Sequence, residues 1–408
     1  MRPIKKEQLD FLNWEMGLFI HFGIRTFYEG HKDWDGKEMP ASGFNPKNLD
    51  CEQWVTTAKK AGMQYAILVC KHHDGFANWP SEYTEYSVKN SPWKDGKGDV
   101  VREFVDACRK HDLKVGLYYS PAQAGYEGSD NKDYDDYFIN QISELLQNYG
   151  KIDYLWFDGC GSEGHEYDTV RIVNAIRTMQ PNILIFNMWD PDTRWVGNEA
   201  GYVPLPNCNI VSELEFSVRT DKADSIETLF LPGECDCMMR NIWFYSDCNE
   251  DQIKSLDQLM GMYYCSVGYG ANLLLNIAPD RDGLLPKADV NRLMEFADKI
   301  KKDFSSPLKA TCTREENTYT LVFDEPTLVN HVVLMEDLSE GDKIEAFSVF
   351  ATSSPWSRKP IQMYQGNTVG HKRICKFPSI MAKQVEIVIE KERLPHKLND
   401  LKAFYVEG

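Results

Sequence analysis

Asp158 stands between a run of large apolar residues and a glycine, in the stretch "YLWFDG". The interior of a strand disfavours such a residue, because an ionised group removed from water without a partner is costly. Asp158 therefore marks either a strand end or a functional site. Gly159 favours function, since its missing side chain lets the backbone turn sharply and leaves room for a ligand. The structural alternative is an aspartate that caps the next helix.

Three histidines follow two other apolar runs. His21 lies in "GLFIHFG", and His72 and His73 form a doublet in "KHHDGF". Imidazoles can donate to and accept from sugar hydroxyls, and they can also bind a metal. Neighbouring side chains on a strand point to opposite faces. Either one histidine of the doublet reaches a cavity while the other braces its rim, or a bulge at the strand end turns both inward.

A second carboxylate would make Asp158 one half of a glycosidase pair, because glycoside hydrolysis uses one carboxylate as nucleophile or base and another as acid. Four glutamates of later segments could supply it: Glu199, Glu213, Glu215 and Glu234. The residue pattern alone leaves this choice open.

Metal-dependent hydrolysis of an amide or ester is the competing chemistry. Its ligands would be His21, His72, His73 and Asp158. The residues favour the glycosidase, since no His-X-His pair offers two ligands on one strand face. Cys235 and Cys237 lack a second cysteine pair at zinc-site spacing. We therefore expect no metal and no cofactor.

Six tryptophans lie near these positions. Sugar rings stack their C–H faces on such side chains, although a tryptophan in a strand is more often part of the core. We expect about half of the six to line a pocket. They are Trp34, Trp79, Trp156, Trp189, Trp195 and Trp243.

From residue 15 to about residue 300, short apolar runs alternate with longer amphipathic stretches, the pattern of repeated βα units. Such units predict a (β/α)8-like barrel, with its active site where the strands end. A doubly wound open sheet is the alternative, but no glycine-rich phosphate loop follows the first strand. The predicted strands are "GLFIHFG", "YAILVCK", "KVGLYYS", "YLWFDG", "ILIFN", "NIVSE" and "NLLLNIA", with "NIWFYS" as a possible eighth.

After about residue 304 the pattern changes to alternating or β-branched strands such as "TYTLVFD" and "QVEIVIE". We predict a catalytic barrel over residues 1–303 and an antiparallel β-sandwich over residues 304–408. A sandwich that packs against the barrel is favoured over a carbohydrate-binding domain, because no aromatic platform is visible in its sequence.

The composition bears on partners and compartment. The 408-residue chain has 45 basic and 62 acidic residues and a formal charge of -17, which disfavours nucleic acid and anionic membranes as partners. No stretch approaches the roughly 20 apolar residues of a membrane span. Acidic residues interrupt any signal-peptide core at the N-terminus, so the chain is expected to be cytoplasmic as written, or periplasmic or secreted if a signal was removed. Eleven scattered cysteines indicate reduced thiols.

Several of these stretches closely resemble family 29 α-L-fucosidases: "GLFIHFGIRTF", the run from "FNPKNLD" to "LYYSP" that contains "KHHDGF", and "YGKIDYLWFDG". Three others are similar to the branch of that family that prefers α-1,3 and α-1,4 linkages: "RWVGNEAGY", "ECDCMMRNIWFY" and "SVGYGANLLLNIAPDRDGLLP". The resemblance implies a retaining, exo-acting α-L-fucosidase that cleaves fucosylated oligosaccharides or glycoconjugates through a covalent fucosyl-enzyme.

The resemblance also implies residue roles. Asp158 would be the nucleophile and Glu199, in the "RWVGNE" motif, the acid/base, with Glu213 as the reserve. The implied fucose-binding residues are His21, Trp34, His72, His73, Tyr119, Trp156, Arg240 and Trp243.

The chain departs from the family pattern around the pocket. "KDWDG" places Asp33 where the family usually has a glutamate, "CDCMMRNIW" loses a usual Pro-Gly turn, and "YYSPAQAG" lacks a frequent Trp-Asp. These changes bear on linkage preference more than on the reaction. The alternatives are a broad or α-1,2/1,6-acting fucosidase and a degenerate fucose-binding protein.

Overall fold

The computed structural model describes residues 2–124, 131–162, 164–215 and 223–407. The strands of its first part are β1 (Met16–Ile20), β2 (Tyr65–Lys71), β3 (Lys114–Tyr119), β4 (Tyr154–Phe157), β5 (Leu184–Phe186), β6 (Arg194–Trp195), β7 (Ile210–Glu215), β8 (Ala223–Phe230), β9 (Gly233–Met238) and β10 (Asn272–Asn276). Eight of them form one parallel sheet in the order β5-β4-β3-β2-β1-β10-β9-β6. A bridge between Phe186 and Thr193 joins its two ends, so the sheet closes almost completely. The predicted (β/α)8-like barrel is confirmed.

Helices surround this barrel, and aspartates begin several of them. The side chains of Asp50, Asp99 and Asp168 each accept a hydrogen bond from the backbone N–H three residues later, which satisfies a donor that the first helical turn leaves unpaired. The helices are α1 (Lys6–Leu12), α2 (Cys51–Lys60), α3 (Val100–Lys110), α4 (Asn131–Asn148), α5 (Thr169–Met179), α6 (Leu256–Cys265) and α7 (Lys287–Phe304). Among the described residues, no helix has the length and apolar character needed to cross a membrane.

Two of the strand predictions for the barrel are wrong. "NIVSE" belongs to β7, which pairs with β8 as a separate antiparallel hairpin, and "NIWFYS" (241–246) forms no strand. The barrel instead uses β6 and β9, whose sequences "RW" and "GECDCM" carry charged residues. Those charged residues interrupt the apolar run by which a buried parallel strand is recognised.

Aromatic side chains fill the barrel interior. Tyr65, Tyr154 and Trp156 belong to an inner cluster of buried residues, while the opposite faces of the strands pack under the helices. This division follows from the alternation of side chains along each strand. Gly17 is required here, because a side-chain carbon at that position would lie 2.4 Å from the Tyr65 ring.

The C-terminal part is an antiparallel sheet folded over its own core, as the sequence predicted. The strand order is β11-β12-β15-β13-β14, and β16 also pairs with β12. The register between β12 and β15 shifts after Val322, so the predicted strand "TYTLVFD" and the later run "NHVVLME" are two halves of one long strand. The strands are β11 (Thr311–Glu315), β12 (Thr318–Glu336), β13 (Ile344–Thr352), β14 (Ile361–Gly366), β15 (Arg373–Glu392) and β16 (Leu398–Phe404).

Polar contacts join this sandwich to the barrel. Glu15, just before β1, forms ion pairs with His371 and Lys372. Asn209 donates its backbone and side-chain N–H groups to the Asp342 carboxylate at 2.7 and 2.9 Å. Both contacts tie loops of the barrel to loops of the sandwich.

Candidate active site

A cavity of about 560 Å³ opens at the C-terminal ends of the barrel strands. This is the end at which barrels of this type carry their active sites. Residues from most of the strands converge on it. The predicted site residues in its wall are His21, Trp34, His72, His73, Trp156, Asp158, Glu199 and Trp243.

Asp158 follows β4 and accepts three polar contacts. The Tyr118 hydroxyl donates to its Oδ2 at 2.8 Å, the Cys160 backbone N–H donates to Oδ1 at 2.8 Å, and His73 Nε2 lies 3.4 Å from Oδ2. Burial alone would raise the pKa of Asp158, but the charge and hydrogen bond of His73 and the Cys160 N–H hold it well below its usual range. Asp158 is therefore an ionised carboxylate at neutral pH.

The histidine doublet turns both of its rings toward the cavity. The pairing of β2 with β3 is irregular between Val69 and Lys71, and the two ring centroids lie 4.3 Å apart. Of the two arrangements that the sequence allowed, the one with an irregular strand end is observed.

The two histidines differ in charge. Burial lowers the pKa of His73, but the charge and hydrogen bond of Asp158 outweigh burial and raise it to about 10. Burial and the positive charge of His73 lower the pKa of His72 to about 4. At neutral pH, His73 is thus an imidazolium paired with Asp158, and His72 is neutral.

His21 is held in place by the neighbouring barrel strand. Its Nδ1 lies 2.8 Å from the Asn276 side-chain oxygen, and its ring lies 4.8 Å from that of Trp243. Burial lowers the pKa of His21 well below its usual value. Its remaining ring nitrogen can donate to or accept from a neutral ligand such as a sugar hydroxyl.

The loop after β1 covers one side of the cavity. Asp33 accepts a hydrogen bond from Arg25 at 2.9 Å and one from His72 at 3.0 Å. Burial would raise the pKa of Asp33, but His72 and Arg25 lower it below its ordinary value. The next residue, Trp34, stacks on His73 with ring centroids 5.0 Å apart. Asp33, whose side chain is shorter than that of the glutamate usual at this position in the family, thus lines the cavity as an ionised acceptor.

Four glutamates were candidates for the second carboxylate. Of these four, Glu199 alone lines this cavity. Burial raises the pKa of Glu199, the charge of Asp158 raises it further, and a hydrogen bond from Trp243 partly offsets both effects. Glu213 and Glu215 are exposed on the β7–β8 hairpin and line a neighbouring recess. Glu234 is buried inside the barrel, where it accepts hydrogen bonds from Tyr65 and Trp156 at 2.6 and 2.8 Å.

Tyr119 does not contribute to the cavity, contrary to prediction. Its side chain lies on the outer face of β3 and donates to Gln141 of α4 at 2.7 Å. Tyr118 lines the cavity instead. The register pairs Tyr118 with Trp156 and Tyr119 with Phe157, so the strand alternation could have identified Tyr118 from the prediction for Trp156.

Arg240 is also outside the cavity wall. Its guanidinium forms a buried, two-pronged ion pair with Asp289 of α7 and donates to the Asn249 side chain at 2.8 Å. Trp243, three residues later, does line the cavity. Arg240 therefore holds the loop that carries Trp243.

Several cavity residues were missed by sequence reasoning about the site: Arg25, Tyr118 and Asp236. Asn187 and Trp195 also line the cavity, and they are joined at its edge because the Trp195 backbone N–H donates to the Asn187 side chain at 3.0 Å. Four of the six tryptophans line the cavity, and Trp79 and Trp189 pack in the core. Asp236 lies in β9, which lacks the continuous apolar run by which the other strands were predicted.

A metal ion could be considered at His72, His73 and Asp158, whose ligand atoms lie within 4.8 Å of one another. The protonation of these groups is unfavourable to a cation. His73 would have to lose a proton, since its pKa is raised to about 10, and His72 Nδ1 is already directed at Asp33. The arrangement suits a neutral, hydroxyl-bearing ligand better.

Comparisons with known proteins agree with this geometry. The alpha-L-fucosidase family model matches residues 4–303. Alpha-L-fucosidase 1 of Arabidopsis thaliana is 32% identical, with 94% of this chain and 84% of that protein covered. The putative alpha-L-fucosidase 1 of rice, Oryza sativa subsp. japonica, is 30% identical, with 93% and 80% covered.

Solved structures show the same likeness. A glycoside hydrolase 29 family member from an unknown rumen bacterium is similar over 100% of this chain and 78% of its own, with 34% identity and a TM-score of 0.90. A putative alpha-L-fucosidase from Bacteroides ovatus is similar over 99% and 74%, with 35% identity and a TM-score of 0.88. The chain therefore belongs to glycoside hydrolase family 29 and is an α-L-fucosidase.

Proposed function

We propose that the chain is a retaining, exo-acting α-L-fucosidase with Asp158 as nucleophile and Glu199 as acid/base. The observation that carries this proposal is the contrast between the two carboxyl groups of one cavity. The pKa of Asp158 is held low by His73, whereas the pKa of Glu199 is raised by burial and by Asp158. A retaining glycosidase needs one ionised and one protonated carboxyl group.

In the first step, an Asp158 carboxylate oxygen attacks the anomeric carbon of fucose. The bond from that carbon to the glycosidic oxygen breaks, and Glu199 gives its proton to the departing oxygen. In the second step, the Glu199 carboxylate takes a proton from water, the water oxygen bonds to the anomeric carbon, and the bond to Asp158 breaks. Glu199 is then protonated again for the next cycle.

The remaining cavity residues fit the binding of a single deoxy sugar. Neutral His21 and His72 and charged His73 can pair with hydroxyl groups. Trp156 offers an apolar wall whose orientation is set by stacking on Tyr118 and Phe186, with centroids 5.3 and 4.2 Å apart. A cavity of about 560 Å³ holds one sugar ring and part of its leaving group.

We further propose that α-1,3- and α-1,4-linked fucose is preferred. The support is the likeness of "RWVGNEAGY" to the branch with that preference, together with the location of its Glu199 in the cavity. A broad or α-1,2/1,6-acting enzyme is the alternative, since "CDCMMRNIW" departs from the family pattern beside the cavity.

The test is fucose release from a Lewis-type trisaccharide and from an α-1,2-fucosylated lactose. The wild type is expected to cleave the trisaccharide preferentially. Asp158→Asn should lose at least about 1,000-fold in kcat. Glu199→Gln should lose kcat/KM on the trisaccharide but retain it on a dinitrophenyl fucoside, whose leaving group needs no proton. Its kcat on that fucoside should still fall, because the second step uses Glu199 as the base. Glu213→Gln is the matched control and should match the wild type.

Each alternative gives a different result. Preferential cleavage of the α-1,2-linked substrate would reject the linkage proposal alone. Loss of trisaccharide cleavage in Glu213→Gln rather than in Glu199→Gln would move the acid/base to the hairpin. A wild type that binds fucose but releases none would reject the catalytic proposal.

A further inference from the structure

Asp236 is a buried acid in the wall of the cavity to which neither the family resemblance nor the proposed mechanism gives a role. Its residue is 4% exposed, and its Oδ1 accepts a hydrogen bond from the Trp195 indole at 2.8 Å. Within the described ranges it forms no ion pair. A buried carboxylate without a cation is costly, so the group calls for an explanation.

The backbone brings Asp236 close to Glu199. Ala200, directly after Glu199, forms an antiparallel bridge with Cys237, directly after Asp236. The segment that carries the acid/base is thus fastened to β9, and both carboxyl groups line the same cavity.

The surroundings of Asp236 offer acids and apolar groups. On its own strand the thiols of Cys235 and Cys237 flank it, and burial raises the pKa of both, so they are neutral. The nearest carboxyl group on that strand is that of Glu234. β10 presents Leu274 opposite Asp236, and β6 presents the Trp195 indole. Burial and the charge of Glu199 raise the pKa of Asp236 well above its usual value, and the Trp195 hydrogen bond only partly counters this. A protonated carboxylic acid is the form that fits this site.

We propose that the Asp236 carboxyl group stays protonated and donates a hydrogen bond to the Glu199 carboxylate as Glu199 gives up its proton, so that Asp236 sets the pH range over which Glu199 acts. The inference rests on the proposed function of Glu199. Trp195 occupies Oδ1, which leaves Oδ2 to carry the proton. The contact is made directly or through one water in the substrate complex, since catalytic hydrogen bonds are often long or poorly aligned without substrate. Asp236 is thus a positioning residue that acts through Glu199.

The experiment is the pH profile of kcat/KM for Asp236→Asn on two substrates, the Lewis-type trisaccharide and a dinitrophenyl fucoside. An amide is a weaker donor than a carboxylic acid, so it stabilises the Glu199 carboxylate less. The basic limb of the pH profile, where kcat/KM for the trisaccharide falls as Glu199 loses its proton, should therefore move to a pH about one unit higher. The dinitrophenyl fucoside needs no proton from Glu199, so its kcat/KM should change less than about twofold.

Two further variants serve as a second test and a control. Asp236→Ala removes the donor altogether and should move the limb in the same direction, which keeps the test available if the asparagine variant folds poorly. Glu213→Gln removes an acid outside the cavity and should leave the limb where it is.

Each contrary result overturns the inference. A limb that moves downward would mean that Asp236 is ionised in the wild type, and an unmoved limb would mean that it does not act on Glu199. A higher KM for the trisaccharide with an unmoved limb would make Asp236 a contact of the leaving sugar, and an equal loss on both substrates would make its role structural. If Glu199→Gln fails to distinguish the two substrates, it is instead the proposed function that fails.

Discussion

Tyr118 and Tyr119 are adjacent, chemically identical residues with opposite surroundings, which makes them a matched pair for mutation. Tyr118→Phe removes a hydrogen bond to the Asp158 carboxylate. Bonds to charged groups contribute about 1.5–3 kcal/mol, so kcat/KM for fucoside hydrolysis should fall about 10- to 100-fold. Steady-state kinetics on an aryl fucoside measure this loss.

Tyr119→Phe is the control for this substitution. It removes a hydrogen bond to Gln141 in the helical layer, so it should cost about 1 kcal/mol of stability and leave kcat/KM unchanged. A kinetic loss in Tyr119→Phe with none in Tyr118→Phe would show that the assignment of the two strand faces is wrong.

At the scale of single residues, sequence reasoning found the side chains that lie in conspicuous motifs. The doublet of "KHHDGF" and the aspartate of "WFDG" are both in the cavity. Tyr118 was missed because the two faces of a strand look alike when both are apolar or aromatic. Asp236 was missed because a buried acid inside a strand contradicts the pattern by which strands are recognised.

At the scale of elements, the buried ion pair between Arg240 and Asp289 fastens the Trp243 loop to α7. Arg240→Met leaves Asp289 buried without its partner, so the free energy of unfolding should fall by about 3 kcal/mol or more. Urea unfolding measures this change. Activity at saturating substrate should persist in the folded fraction, because Arg240 does not touch the cavity.

An exposed arginine gives the comparison for this prediction. Arg281 pairs with Glu29 and Asp247 at the surface, and its side chain is 38% exposed. Arg281→Met should cost less than about 1 kcal/mol. If Arg240→Met is as stable as Arg281→Met but has a raised KM, Arg240 binds substrate after all.

Element prediction succeeded where strands are uniformly apolar and failed where they are not. β1 to β5 and β10 were identified from their apolar runs. β6 is only two residues long, and β9 carries Glu234 and Asp236 toward the barrel interior. Their pairing partners, rather than their own residues, make them strands, and a single sequence does not reveal those partners.

At the scale of the whole molecule, Glu15 makes the stability of the junction between barrel and sandwich depend on pH. Burial would raise the pKa of Glu15, but His371 and Lys372 lower it to about 2. A depressed pKa stabilises the fold at pH values above the unfolded pKa of about 4.5. This stabilisation is therefore complete at neutral pH and is lost as the pH falls from about 4.5 toward 2.

Glu15→Gln tests this coupling by urea unfolding at several pH values. The variant should be about 2 kcal/mol less stable than the wild type at pH 7, and the difference should shrink as the pH falls below about 4.5. Glu345→Gln is the control, because Glu345 pairs with Lys391 at the surface of the sandwich alone. A Glu15→Gln deficit that is constant with pH would show that the charge of Glu15 contributes nothing.

The near-closure of the barrel between β5 and β6 has a consequence for how readily this enzyme can acquire new substrates. The residues proposed to hold fucose come mostly from β1 to β4 and their loops, where every strand has a hydrogen-bonded neighbour on both sides. Asn187 and Trp195 lie beside the Phe186–Thr193 bridge, which is the single bridge between the sheet ends in the described part of the chain. Insertions and substitutions there disturb little of the ladder, so leaving-group preference can drift during evolution while fucose recognition is preserved.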